Sequence, residues 1–122
     1  SDSDKFSIIH NVLELYEWFD KAARALPKYH RYTLGIKIAT EISDILELLL
    51  LATVKNGTAR LLLLQKVDLK LKLLRLFARL LHKGRSFRDR QYGEFVERTI
   101  LIGKMLGGWI EVTKGKRPGT HA

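Results

Sequence analysis

The chain has 122 residues, no cysteine and a formal net charge of +9, and 46% of its residues are hydrophobic. This length corresponds to one domain that buries roughly two-thirds of its unfolded surface, and the lack of cysteine excludes disulfides and thiolate metal sites and favours a cytoplasmic location. The longest uncharged apolar run, around Leu48 to Val54, is far shorter than the ~20 residues that cross a bilayer, so no membrane association is expected.

The first predicted helix begins after Asp4, whose carboxylate is a suitable N-terminal cap, and continues to about Leu26. Pro27 either ends this helix or begins the next one. Because the connection is short, the following helix should run antiparallel. Apolar residues recur along the first helix at spacings of three and four: Ile8, Val12, Leu15, Phe19, Ala22 and Leu26.

The second predicted helix runs from about Lys28 to Lys55. Gly35 inside it costs about 1 kcal/mol relative to alanine, which indicates close approach of another helix there. The dipeptide Asn56-Gly57 is expected to end the helix, with Thr58 as the cap of the third. One face of the second helix is apolar: Leu34, Ile38, Ile42, Ile45, Leu49 and Ala52.

The third predicted helix, residues 59–83, is apolar around most of its circumference. A helix of this kind must be covered on more than one side, so we expect one side to pack inside a bundle and another against a second subunit. A narrow sector carries one acid, Asp68, and four bases: Lys72, Arg75, Arg79 and Lys83. The apolar positions are Val67, Leu69, Leu71, Leu73, Leu74, Leu76, Phe77, Leu80 and Leu81.

Charge is concentrated in the same part of the chain. Residues 59–90 carry ten basic and two acidic groups, so +8 of the net +9 lies in about a quarter of the sequence. Such a directional field favours a polyanionic partner. We therefore predict a nucleic-acid-binding surface with weak sequence preference. Its predicted residues are Lys72, Arg75, Arg79, Lys83, Arg85, Arg88 and Arg90.

Gly84 is the expected C-terminal cap of the third helix, and the fourth is predicted over about Asp89 to Thr113. Gly103 and Gly107 lie four apart, a spacing that permits close approach of a neighbouring helix. Its inward positions are Tyr92, Phe95, Val96, Thr99, Ile102, Gly103, Leu106, Trp109 and Ile110. The predicted fold is an all-α, antiparallel up-down-up-down four-helix bundle over residues 1–114, followed by a basic flexible tail at 115–122.

Patterns typical of catalysis are weak. His10 and Glu14 are four apart but have no further ligand at metal spacing, and His30 and His82 lie near helix ends, where a solvated histidine needs no special role. No glycine-rich phosphate loop occurs. We expect no enzymatic activity, no cofactor and no metal site. The acidic residues of the second helix fit a solvated face or a row of intersubunit salt bridges: Glu41, Asp44 and Glu47.

Four aromatic residues near helix ends allow two interpretations: Tyr29, Tyr32, Phe87 and Tyr92. They could stack on unpaired bases among the arginines. The alternative is packing in the core or at an interface, which the sequence favours over stacking.

Three segments resemble a known family: LPKYHRYTLGIKIATEISDILELLLLA, LLRLFARLL and ERTILIGKMLGGWIEVTK. They are similar to the four-helix-bundle proteins of diversity-generating retroelements, the accessory variability determinant (Avd) family, over about Val12 to Lys114. Bundle proteins encoded in ribosomal-RNA intervening sequences look similar too. The most specific block is Leu106-Gly107-Gly108-Trp109.

This resemblance implies a non-catalytic, homopentameric barrel that binds nucleic acid and the reverse transcriptase of the retroelement during mutagenic copying of an RNA. The family's basic surface would fall on Arg75, Arg79 and Lys83, with Lys72 beside them. The alternative hypothesis is a stand-alone structural or protein-interaction bundle that binds nucleic acid only nonspecifically.

Overall fold

A computed structural model describes residues 2–115, with side chains from residue 5 onward. This part of the chain is helical and contains no strand. Its elements are α1 (Asp2–Arg24), α2 (Lys28–His30), a π-helical turn (Arg31–Gly35), α3 (Ile36–Thr53), α4 (Gly57–Lys83) and α5 (Asp89–Thr113). Apart from Gly115, the tail predicted at 115–122 lies outside the described residues.

Four long helices form the bundle. Helix α1 packs against α3 and α5, and α4 packs against the same two helices from the other side. At one end of the bundle, Arg60 near the start of α4 donates a hydrogen bond of 2.9 Å to the carbonyl of Ala52 near the end of α3. At the opposite end, His30 after the α1 turn contacts Ser86 after α4. Successive helices therefore run antiparallel, and the predicted all-α four-helix bundle is confirmed.

The core follows the predicted helical spacing. Along α1, Ile8, Val12 and Leu15 are buried, and the aromatic side chains of Phe19, Phe87 and Phe95 meet farther along. Trp18 packs on the edge of this cluster, with ring centroids 5.8 Å from Phe95 and 6.0 Å from Phe87. The core interpretation of Phe87 is therefore the correct one, since only 1% of the residue is exposed.

Several predicted helix boundaries differ from those in the structure. Helix α1 begins at Asp2, so Asp4 lies inside it and not at its N-cap, and it ends at Arg24. Asn56 and not Thr58 is the N-cap of α4. The bounds of α5, Asp89–Thr113, are those predicted. Residues with good capping side chains therefore indicate where a helix starts only to within about three positions.

The second predicted helix is interrupted by the π-helical turn Arg31–Gly35. A π turn accommodates an extra residue and so rotates the face that follows it. Gly35 is buried at the end of this turn, where a β-carbon would lie 3.2 Å from the carbonyl oxygen of His30 and 3.6 Å from Leu26 Cδ1. The tight contact at Gly35 is therefore with the backbone of its own segment, and the predicted close approach of another helix is not what a β-carbon would meet there.

The close approach predicted at Gly103 and Gly107 is absent from the protomer. No heavy atom within the described residues, beyond the local helix backbone, lies within 4 Å of a β-carbon built at either position. Both glycines are partly buried in the protomer. Within the described residues, no helix has the length and apolar content needed to cross a membrane.

Candidate nucleic-acid interface

Four of the predicted site residues lie on the side of α4 that borders α5 and solvent: Lys72, Arg75, Arg79 and Lys83, named here the basic strip. Placing residues at 100° intervals puts Arg75 nearest the core face of α4 and Lys83 farthest from it. Arg75 confirms this orientation, because its guanidinium donates a hydrogen bond of 3.3 Å to Thr99 Oγ1 on α5. The strip is about 16 Å long, close to the length of five stacked nucleotides.

Two residues of the basic strip already have partners within the protomer. Lys72 is 63% exposed but its ammonium lies 3.0 Å from the carboxylate of Asp68, and Arg75 is half-buried against Thr99. Arg79 and Lys83 are exposed, and neither forms an ion pair within residues 5–115. These two cations are therefore the most available to an external anion.

The loop after α4 continues the positive charge. Arg85, Arg88 and Arg90 are all exposed and follow Lys83 within seven residues. The acid between Arg88 and Arg90 is Asp89, the first residue of α5, and its carboxylate lies 2.7 Å from His82 Nε2. The structure thus places the basic strip and three further arginines at one end of the bundle.

An exposed apolar row runs along the outward face of α4: Leu62, Leu69, Leu76 and Leu80, named here the leucine row. Each of these residues is more than half exposed, and Leu69 reaches 67%. Spacings of seven and four residues are those of a coiled-coil face. Because the opposite face of α4 is filled by the core, the helix is apolar on two sides, as the sequence predicts.

Sequence reasoning missed the role of Lys70. Its ammonium lies 2.5 Å from Glu41 Oε2 and 3.4 Å from Asp44 Oδ2, so it joins α4 to α3. The hydrogen bond to Glu41 raises the pKa of Lys70 above its ordinary value. Glu41 and Asp44 are therefore not a fully solvated face, because both pair with Lys70 within the protomer. Glu47 remains exposed.

The histidines also differ in part from expectation. His10 and Glu14 form an exposed pair with 3.0 Å between Nε2 and the carboxylate, as their spacing predicts. His30 is half-buried, and its Nδ1 is hydrogen-bonded to the hydroxyl of Ser86. It is therefore not a merely solvated histidine, because it connects the segment after α1 to the loop after α4.

Two of the four aromatic candidates remain available for stacking on bases. Tyr29 is 75% exposed and Tyr32 is 59% exposed. Tyr92 stacks on the His82 ring at a centroid distance of 4.6 Å, and Phe87 is in the core. The exposed pair lies at the same end of the bundle as the loop arginines, since His30 contacts Ser86 there.

A protein-family model described as bAvd-like matches residues 7–113 of the chain. The matched range contains all four long helices almost completely, together with the basic strip and the loop that follows it. No curated protein and no solved structure matches the chain significantly.

Proposed function

The chain belongs to the bAvd-like family, the Avd proteins of diversity-generating retroelements, and we propose that it is a non-catalytic accessory protein of such a retroelement. In this proposal it binds nucleic acid and a reverse transcriptase in the cytoplasm during mutagenic retrohoming. The observation that carries the proposal is the position of the basic strip, which continues into three loop arginines at one end of the bundle.

Electrostatics supports nucleic acid as the anionic partner. The segment 59–90 carries +8, and of its ten lysines and arginines only Lys70 and Lys72 form ion pairs with carboxylates of the described residues. A row of cations on one helix face neutralises backbone phosphates without reading base edges. Affinity should therefore depend strongly on salt and only weakly on sequence.

The leucine row supports assembly of several copies. Four leucines that are each more than half exposed, at coiled-coil spacing, form an apolar surface that a monomeric protein would leave in water. We propose that copies of the chain cover this row in a homopentamer. Repetition of the basic strip by symmetry would then multiply the phosphate contacts of one protomer.

Charge reversal tests the function. The variant Arg75→Glu, Arg79→Glu, Lys83→Glu should lose about 100-fold or more in affinity for a labelled single-stranded RNA, measured by fluorescence anisotropy. With four phosphates engaged, the wild-type protein should lose roughly 100-fold between 50 and 200 mM salt. The same variant should co-purify with less of the retroelement's reverse transcriptase in the presence of RNA.

The matched control reverses three exposed lysines elsewhere, Lys37, Lys55 and Lys104, and so has the same net charge as the test variant. It should retain RNA binding to within a few-fold. Equal losses in both variants would favour the alternative, a structural or protein-interaction bundle with only nonspecific nucleic-acid binding. Unchanged RNA binding by the test variant would exclude the basic strip as the nucleic-acid-binding surface.

A further inference from the structure

A pocket of about 520 Å³ lies at the end of the bundle where the turn after α1 meets the loop after α4. Three arginines line it, Arg85, Arg88 and Arg90, together with the hydroxyl-bearing Ser86. Ala25 and Pro27 supply an apolar part of the wall. This volume is within the range of pockets that hold small ligands. We name it the arginine pocket.

The positive charge of the arginine pocket is not neutralised by the protomer. None of its three guanidinium groups forms an ion pair within residues 5–115, and no carboxylate lines the pocket. Asp89 is paired with His82 at 2.7 Å, and Glu94 with Arg98 at 3.4 Å. Like charges brought together in this way repel one another unless an anion lies among them.

Arg85 occupies a backbone conformation that favours glycine. Its φ is +63°, and the N–H of Ser86 donates to the carbonyl of Leu81 at 2.8 Å, which closes the helix end in a Schellman motif. Glycine normally takes the left-handed position of this motif, because a β-carbon is disfavoured there. Arginine at this position therefore lowers the stability of the fold.

The neighbouring Gly84 is glycine for a different reason. Its φ is −80°, which any residue adopts, but a β-carbon there would lie 3.0 Å from Cε1 of His30. His30 in turn is hydrogen-bonded to Ser86. The loop that carries Arg85 is thus held against the start of the second helical segment through His30.

We propose that the arginine pocket binds a phosphate group of the nucleic acid that the basic strip contacts. The planar guanidinium group is suited to two-pronged hydrogen bonding of phosphate oxygens, and the apolar wall at Ala25 and Pro27 can accept the adjoining sugar. This inference rests on the proposed function for the source of the phosphate. A free oligophosphate offers the same chemistry and is the second possible source.

The test uses the full-length Arg85→Gly variant, which cannot lose binding through misfolding because glycine suits the left-handed position. Its Tm should rise by a few degrees. Its affinity for a labelled single-stranded RNA, measured by fluorescence anisotropy at 50 mM salt, should fall about tenfold. The matched control Lys104→Ala removes one positive charge from an exposed site on α5 and should change affinity less than twofold.

Calorimetric titration with inorganic pyrophosphate distinguishes the two sources and does not depend on RNA binding. Wild-type protein should bind pyrophosphate, and Arg85→Gly should bind it at least fivefold more weakly. If the wild type binds pyrophosphate but not RNA, a free oligophosphate is the ligand. The proposed function then fails, while the phosphate site in the arginine pocket stands. Two results together would overturn the proposal that the arginine pocket binds phosphate: equal RNA affinities of Arg85→Gly and Lys104→Ala, and no pyrophosphate binding by the wild type. A lower Tm for Arg85→Gly would overturn the argument that arginine is costly there.

Discussion

Lys70 connects α4 to α3 through two carboxylates, and the residue is only partly exposed. Its side chain is 26% exposed and that of Glu41 is 19% exposed. Removing the ammonium with Lys70→Met leaves Glu41 and Asp44 near each other without a counter-charge. We expect the free energy of unfolding at pH 7, measured with urea, to fall by roughly 1–2 kcal/mol. The exposed Lys66→Met on the same helix should cost much less.

The contribution of Lys70 also depends on pH in a definite direction. The folded-state pKa of Lys70 is raised above 10.5 by the hydrogen bond to Glu41. Its stabilisation is therefore fully present below pH 10.5 and is lost as pH rises through the folded-state pKa. The difference between wild type and Lys70→Met should stay constant from pH 7 to about pH 10 and shrink at higher pH. A difference that grows above pH 10 would contradict the ion pair.

The sequence predicted the residues of the basic strip but not how strongly each is engaged. Periodicity places Asp68, Lys72 and Arg75 on one face of α4, and the spacing of four residues fits the Asp68–Lys72 pair. It does not reveal that Arg75 donates a hydrogen bond to Thr99 on α5. The position of His30 against Gly84 and Ser86 was also hidden. More than 50 positions separate His30 from Gly84 and Ser86, and 24 separate Arg75 from Thr99, so no local pattern encodes these contacts.

Two glycines of α5 provide a test of whether another chain packs against this helix in the assembled protein. Gly103 and Gly107 have helical backbone and no neighbour within 4 Å inside the described protomer. Gly103→Ala and Gly107→Ala should therefore each raise the free energy of unfolding by about 0.5–1 kcal/mol in urea titrations. Gly115→Ala is the opposite control, because φ there is +83° and alanine should destabilise. Destabilisation by Gly103→Ala would indicate that another chain lies against this face.

At the level of the elements, the long periodic segments were predictable and their interruptions were not. The bounds of α5 and the core face of α1 follow directly from apolar spacing. The π-helical turn Arg31–Gly35 was missed, because one additional residue in a turn leaves the composition helical. The start of α1 was wrong by three residues and the cap of α4 by two, because several neighbouring polar side chains can serve as caps.

At the scale of the whole molecule, two exposed surfaces lie side by side on α4, the leucine row and the basic strip. The sequence predicted a helix apolar on two sides and basic on a third, because 100° spacing alone reveals this pattern. The binding partners of the two surfaces stay predictions. The arginine pocket could not be predicted from the sequence. Ala25 and Pro27 meet Arg85 and Arg88 only when the connection after α1 and the loop after α4 come together in the folded bundle.

Coverage of the leucine row by other copies of the chain decides whether the basic strips form a shared surface, and sedimentation equilibrium measures it most directly. The purified 14.1 kDa chain should sediment at micromolar concentration as an assembly of about 70 kDa, the mass of five copies. Leu69→Lys combined with Leu76→Lys should reduce the mass to that of one chain while helicity is kept. A wild-type protein that sediments as a single 14.1 kDa species would contradict the account.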